Sequence, residues 1–200
     1  SDVCSSDLLA SLLSALNKLN INFKICKNSF DFEDVDKIIL PGVGAFKDLM
    51  KKIKEKDMDK TILAKIDKNV PILGVCVGFQ ILFSGSNEHG DCKGLGLIKG
   101  NFINFKDESE KIKVPHVGWN ECKILKKNKL FQDIEDNSDF YFTHSYYLKN
   151  YNIENVTTKT MYDLNFVSSI NMKNIYGVQF HPEKSQLNGL KIIKNFYERC

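Results

Sequence analysis

Two hundred residues, 42% of them hydrophobic, are enough for a substantial buried core, and no apolar run approaches the roughly 20 residues of a membrane span. Twenty-eight basic against 25 acidic side chains leave a formal charge of +3, too balanced to suggest a nucleic-acid binder. The six cysteines (Cys4, Cys26, Cys76, Cys92, Cys122 and Cys200) lie far apart, with no C-x-x-C pair and no metal-ligand spacing. That pattern argues against a disulfide framework or a bound metal and for a reducing, cytoplasmic setting. No basic leader followed by an apolar core opens the chain, so secretion is not expected.

In chain order, Asp7 is placed to cap a helix running to Leu19, with Leu8, Leu12, Leu16 and Leu19 at helical spacing. A short strand is predicted over Phe23 to Cys26. After an acidic loop, the buried strand KIIL (37–40) runs straight into PGVGAF (41–46), where Gly42 and Gly44 free the backbone to turn N–H groups toward a ligand. Taken alone, such a loop is also an ordinary strand-to-helix turn. Helices are predicted over 45–55 and 58–67, and the cluster Lys51, Lys52, Lys54 and Lys56 reads as a solvated helix face.

The most informative stretch is PILGVCVGFQILF, 71–83. Ile72, Leu73 and Val75 give it the character of a strand covered on both faces, and Gly74 and Gly78 flank Cys76 at two-residue spacing. This G-x-C-x-G pattern reads as a nucleophile elbow with sulfur in place of the usual serine oxygen. A helix N-terminus and a nearby imidazolium both favour a thiolate, and the N–H of Val77 points where an oxyanion would form. The bland alternative is a small buried hydrophobe. Short strands alternating with helices imply an α/β domain with a mostly parallel sheet flanked by helices, a single domain over 1–200, with ligands gathered at strand carboxyl ends. Both PGVG and GVCVG fall there.

From 84 to 125 the chain is loop-rich, with strands predicted near 101–106 and 119–124. Between them VPHVGWN (114–120) crowds Pro115, His116, Trp119 and Asn120 together, and Trp119 suits either buried packing or a partner-facing surface. DFYFTHSYY (139–147) reads as a strand ending in a hydroxyl-rich turn. His144 there is open to three roles: catalytic base, substrate donor or satisfied structural histidine. Strands near 155–160 and 164–170 form an antiparallel extension, and NIYGVQF (174–180) is a further buried strand that delivers HPEKS. Extended residues two apart share a side, so Glu183 can hold one ring nitrogen of His181 and leave the other to a thiol, the logic of a catalytic triad. A capping acid beside a surface histidine is the alternative. Ser185 is placed to cap a final amphipathic helix.

GVCVGFQ and GVQFHPEKS together make the sequence resemble the class I, triad-type glutamine amidotransferases. PGVGAF, GLGLIKG, VPHVGWN and THSYY, in this order, make it most similar to the glutaminase subunits of imidazole glycerol phosphate synthase, from about residue 8 to the end. The resemblance implies a flavodoxin-like fold in which Cys76 attacks the side-chain amide of L-glutamine, His181 shuttles protons and Glu183 orients His181. It also implies an oxyanion held by the N–H of Val77 and by one from Val43 or Gly44. Gly42, Gly44, Gln80, Glu88, His144, Ser145 and Tyr146 would line the glutamine pocket. No cofactor is implied. Ammonia would pass to a (β/α)8-barrel synthase in a heterodimer, with Pro115, His116, Trp119, Asn120 and Tyr141 toward that partner.

Family members begin with a short strand and an Asp-Tyr-x-x-Gly-Asn turn, whereas residues 1–7 read SDVCSSD. The resemblance therefore leaves a sheet position expected to be unfilled. Two rival functions are weighed: a glutaminase feeding a sugar-amidating enzyme of surface-polysaccharide synthesis, and a non-catalytic partner-binding scaffold. A scaffold has no physical need for Cys76, His181 and Glu183 together.

Overall fold

A computed structural model describes residues 2–42 and 44–200, with residues 2–7 described by their backbone alone. The chain forms helix α1 (Asp2–Lys18), strand β1 (Ile38–Gly42), helices α2 (Phe46–Glu55) and α3 (Met58–Asp67), strand β2 (Ile72–Cys76) and the short helix α4 (Val77–Gln80). Strands β3 (Phe83–Ser86), β4 (Cys92–Lys93), β5 (Ile98–Asn104), β6 (His116–Ile124), β7 (Ser138–His144) and β8 (Tyr146–Lys149) follow. Strands β9 (Val156–Tyr162), β10 (Leu164–Met172) and β11 (Ile175–Val178) lead to the last helix, α5 (Gln186–Arg199).

The main sheet has seven strands in the order β1-β2-β11-β10-β9-β6-β7. Parallel pairing is confined to β1-β2 and β2-β11, and the strands beyond β11 pair antiparallel. This is the α/β class expected, with the parallel pairings confined to the part that carries Cys76 and four antiparallel pairings continuing the same sheet. A second, four-stranded sheet runs β4-β3-β5-β8.

All five residues of β2 are buried because apolar layers cover both faces of the sheet. Ile72 packs in the cluster built by Phe46, Met50 and Ile53 of α2 with Ile62 and Ile66 of α3. Leu73 and Val75 point the other way, into the cluster of Phe180, Ile192 and Phe196, the last two from α5. Such a strand reads as a continuous apolar run rather than an alternating one, which is why PILGV was legible. Around α4, Phe79 makes edge-on contacts with Phe83 and Phe102 at 5.3 and 5.5 Å.

Three expectations are corrected. Phe23 to Cys26 form no strand: Phe23 and Ile25 alternate suitably, yet no strand among the described residues offers them a ladder, and both stand 40% or more exposed. Asp7 does not cap α1, because that helix begins at Asp2. Ser185 occupies the cap position of α5 without capping it. Its hydroxyl donates to the His181 carbonyl at 2.6 Å and accepts from the Tyr141 N–H at 3.0 Å, tying β7 to the turn before α5.

The β2–α4 corner is possible only because β1 runs against bare backbone. A Cβ on Gly78 would stand 1.8 Å from the Leu40 carbonyl oxygen, and one on Gly42 would stand 2.0 Å from the Gly78 nitrogen. Backbone cannot give way as a flexible side chain does. Gly78→Ala is therefore expected to destabilise the protein by about 3 kcal/mol or more, read from urea unfolding, through overpacking between two core elements. An unchanged midpoint would mean that β1 and α4 can separate freely.

Candidate active site

Cys76 is the last residue of β2 and the first of the turn into α4, with φ 53 and ψ −112. Positive φ is strained for a residue with a Cβ, and strain of this kind is retained where surrounding structure enforces it. Here the enforcement is visible: β2 is buried between two layers, and α4 is wedged against β1 by the glycine contacts. The side chain is thereby turned out of the strand while remaining 4% exposed. Gly42 lies directly opposite Cys76 in the β1–β2 register, which brings the PGVG loop to the elbow.

His181 follows the last strand of the parallel set, and a 3-10 turn over Pro182–Lys184 follows it in turn. The pairing with Glu183 is as expected, but the route differs: a turn with proline at its start, not an extended run, swings the carboxylate back. His181 Nδ1 lies 2.8 Å from Glu183 Oε1, and both side chains are almost wholly buried. The His181 N–H donates to the Tyr141 carbonyl at 2.8 Å, which fixes the ring's origin. Its Nε2 has no hydrogen-bond partner of good geometry among the described residues and is left facing Cys76, with which the imidazole interacts electrostatically.

Burial alone would discharge His181. The charges of Cys76 and Glu183, with their hydrogen bonds, outweigh it and push the imidazole pKa up to about 10. By contrast, burial pushes the Cys122 thiol up to about 11, and burial likewise raises Cys26 and Cys200. The described cysteines are free thiols, and Cys76 is the one set beside an imidazole.

Gly42 and Gly44, the latter with φ +91, lie in the stretch before α2, and the Glu88 carboxylate accepts from the Phe46 N–H at 2.7 Å at the end of that stretch. Val77 opens α4 beside the elbow, whereas Val43 lies outside the described residues. Gln80 is buried and donates from Nε2 to Gln179 Oε1 at 3.1 Å. Gln179 in turn donates from Nε2 toward Cys76 Sγ at 3.8 Å. Sequence reading missed Gln179. Its signal was a buried amide two residues before His181 at a strand end.

The segment carrying His144, Ser145 and Tyr146 begins beside Cys76, where the carbonyl of the preceding Thr143 lies 3.7 Å from the sulfur. The His144 imidazole is buried, with Nδ1 on the Tyr146 carbonyl at 2.8 Å and Nε2 on His116 at 3.1 Å. On the outer face of the same sheet, Trp119 is 48% exposed and meets Tyr141 edge-on at 6.0 Å. Lys184 Nζ lies 5.7 Å over the Tyr141 ring. Pro115 is exposed, while Asn120 is partly buried on the inner side.

A cysteine on a strained strand-to-helix elbow, bordered by an imidazole that a buried carboxylate holds, is the arrangement that nucleophilic acyl transfer on an α/β sheet requires. The chain belongs to the family described as Glutamine amidotransferase class-I, which matches residues 4–200. It is 44% identical over 190 residues to imidazole glycerol phosphate synthase subunit HisH 1 of Campylobacter jejuni, covering 94% of this chain and 93% of that protein. It is 49% identical over 174 residues to the HisH subunit of Methanocaldococcus jannaschii, covering 87% and 86%. A solved structure described as a glutamine amidotransferase shares the fold at 14% identity, with a TM-score of 0.74 over 94% of this chain and 92% of that one. No described helix is long and apolar enough to cross a membrane.

Proposed function

We propose that this chain is the glutaminase subunit of an imidazole glycerol phosphate synthase, a cytoplasmic enzyme of histidine biosynthesis, and that residues 1–200 act as one glutaminase domain. The observation that carries the chemistry is the buried His181–Glu183 pair at 2.8 Å with its free nitrogen beside the strained Cys76. The names of the relatives at 44% and 49% identity support this acceptor pathway over a sugar-amidating one.

In this reading Cys76 Sγ attacks the side-chain carbonyl carbon of L-glutamine. The oxyanion is held by the Val77 N–H and by a donor from the Val43–Gly44 loop, a class of contact worth on the order of 10² to 10³ in rate per donor. His181 gives its proton to the departing amine, and ammonia leaves a glutamyl thioester. Forming the thioester removes the sulfur's charge, one of the influences that hold the imidazole's proton. The ring can then accept a proton from the attacking water, and glutamate is released. Gly42, Gly44, Gln80, Glu88, Ser145 and Tyr146 shape the glutamine pocket, with His144 behind the turn. Pro115, Trp119 and Tyr141 belong to the surface that meets a (β/α)8-barrel synthase, to which ammonia passes, whereas His116 and Asn120, expected there too, lie on the inner side of the same strand.

Glutamate release from glutamine tests both parts. Wild-type protein with a barrel synthase and its bound ligand should turn over strongly, the isolated chain weakly, and Cys76→Ala not at all in either setting. Turnover that persists in the mutant would overturn the nucleophile. Folded wild-type protein left unstimulated by the synthase would overturn the acceptor.

A further inference from the structure

Strands β6 and β7 pair so that His116 lies directly opposite His144. Cross-strand neighbours share a face, and here they are joined: His116 Nδ1 and His144 Nε2 are 3.1 Å apart in the buried interior. The chain continues at both ends. His144 Nδ1 meets the Tyr146 carbonyl at 2.8 Å, and Asn120 Nδ2 meets His116 Nε2 at 3.3 Å and donates to the Met161 carbonyl at 2.9 Å.

The directions of these bonds follow from their ends. A carbonyl only accepts, so His144 Nδ1 carries the proton and its Nε2 must accept. His116 Nδ1 therefore donates and His116 Nε2 accepts. The other end agrees independently: the Glu121 N–H donates to Asn120 Oδ1 at 2.9 Å, which turns the Asn120 amide nitrogen toward His116. A single neutral arrangement satisfies every atom. Adding a proton to either ring would set two donors face to face. Burial, which pushes His116 down to about 4 and His144 down to about 3, keeps both rings neutral. The His116 ring is also held in plane, stacked on Tyr162 at 4.0 Å and on Phe142 at 4.9 Å.

What the chain holds is the 143–146 turn, whose Thr143 carbonyl borders the Cys76 sulfur. What it starts from is β6, whose opposite face exposes Val117 and Trp119. We propose that His116 is a positioning residue for glutamine hydrolysis, acting through His144 to fix the turn beside Cys76 and linking that turn to the strand that presents Val117 and Trp119. The proposal rests on the glutaminase reading above and adds to it a residue that touches neither substrate nor sulfur.

Two variants separate positioning from packing. His116→Phe keeps the ring stack and loses both hydrogen bonds, whereas His116→Asn keeps a donor at the Nδ1 position and loses most of the stack. Glutamate release with saturating, liganded synthase is expected to show about a tenfold higher KM for glutamine in His116→Phe, with kcat within about threefold of wild type. His116→Asn should return KM to within about threefold. Equal impairment of the two variants, or none in either, would overturn the proposal. Nitrogen-15 ring shifts of the wild-type protein supply a readout independent of folding in the variants and of activity: both imidazoles should be protonated at Nδ1 and bare at Nε2. A proton on either Nε2 would break the inferred chain. Cys76→Ala in the same assay tests the glutaminase reading alone, since its failure leaves the ring shifts unaffected.

Discussion

His181→Asn should lower synthase-stimulated glutamine hydrolysis by roughly 10⁴-fold or more, nearly as much as loss of Cys76 itself. The substitution leaves an amide nitrogen near the position of Nδ1, so the contact with Glu183 and the fold can survive, but nothing remains in the place of Nε2. In the proposed mechanism that atom has three successive tasks: it stabilises the charged sulfur, gives a proton to ammonia as it leaves, and takes one from water. No other described side chain is placed to substitute. Gln179 reaches the sulfur but offers only an amide N–H, which neither accepts nor releases a proton at neutral pH. Because the residues act as a unit, adding Cys76→Ala to His181→Asn should cost little more. Mass spectrometry provides the check: the variant should accumulate no glutamyl adduct on Cys76. Adduct accumulation without glutamate release would confine His181 to deacylation, and near-normal turnover would remove it from the mechanism.

The site was legible in the sequence where chemistry and local backbone coincide. Gly74 is demanded by a turn that brings the Gly78 carbonyl against it and Gly78 by β1 running past it, and the apolar run before Cys76 is demanded by burial on both faces. The His181–Glu183 spacing announced a pair even though the backbone between them is a 3-10 turn and not a strand. What stayed hidden depends on register. His116 and His144 are 28 residues apart, and only the β6–β7 pairing makes them neighbours. Likewise Glu88 reaches the Phe46 N–H across 42 residues, and Gln179 reaches Gln80 across 99. Phe23 and Ile25 failed as a strand for the converse reason. Their local pattern is adequate, but a strand exists only when another offers it hydrogen bonds.

The register-dependent histidines carry the second large expectation, a stability that falls steeply with acid. Each ring is neutral in the folded protein down to about pH 4 for His116 and about pH 3 for His144, against an ordinary value of 6.5. Below 6.5 the unfolded chain binds protons there that the folded chain refuses, so the stability is fully present above 6.5 and is lost as pH falls toward 4 and 3. Near pH 5 the loss is on the order of 2 kcal/mol per histidine. His181 has the opposite sign. Its folded value is raised to about 10, so its contribution is already complete below 6.5 and adds little slope in this window. Carboxylates add their own acid dependence, which is common to wild type and variant. Urea unfolding of wild type and His116→Phe at steps from pH 6.5 to pH 5 isolates the histidine effect: the variant's stability should fall less steeply, by about one proton's worth of slope. Parallel curves would mean that His116 already accepts a proton in the folded protein, and that the neutral hydrogen-bond chain behind Cys76 does not persist in solution.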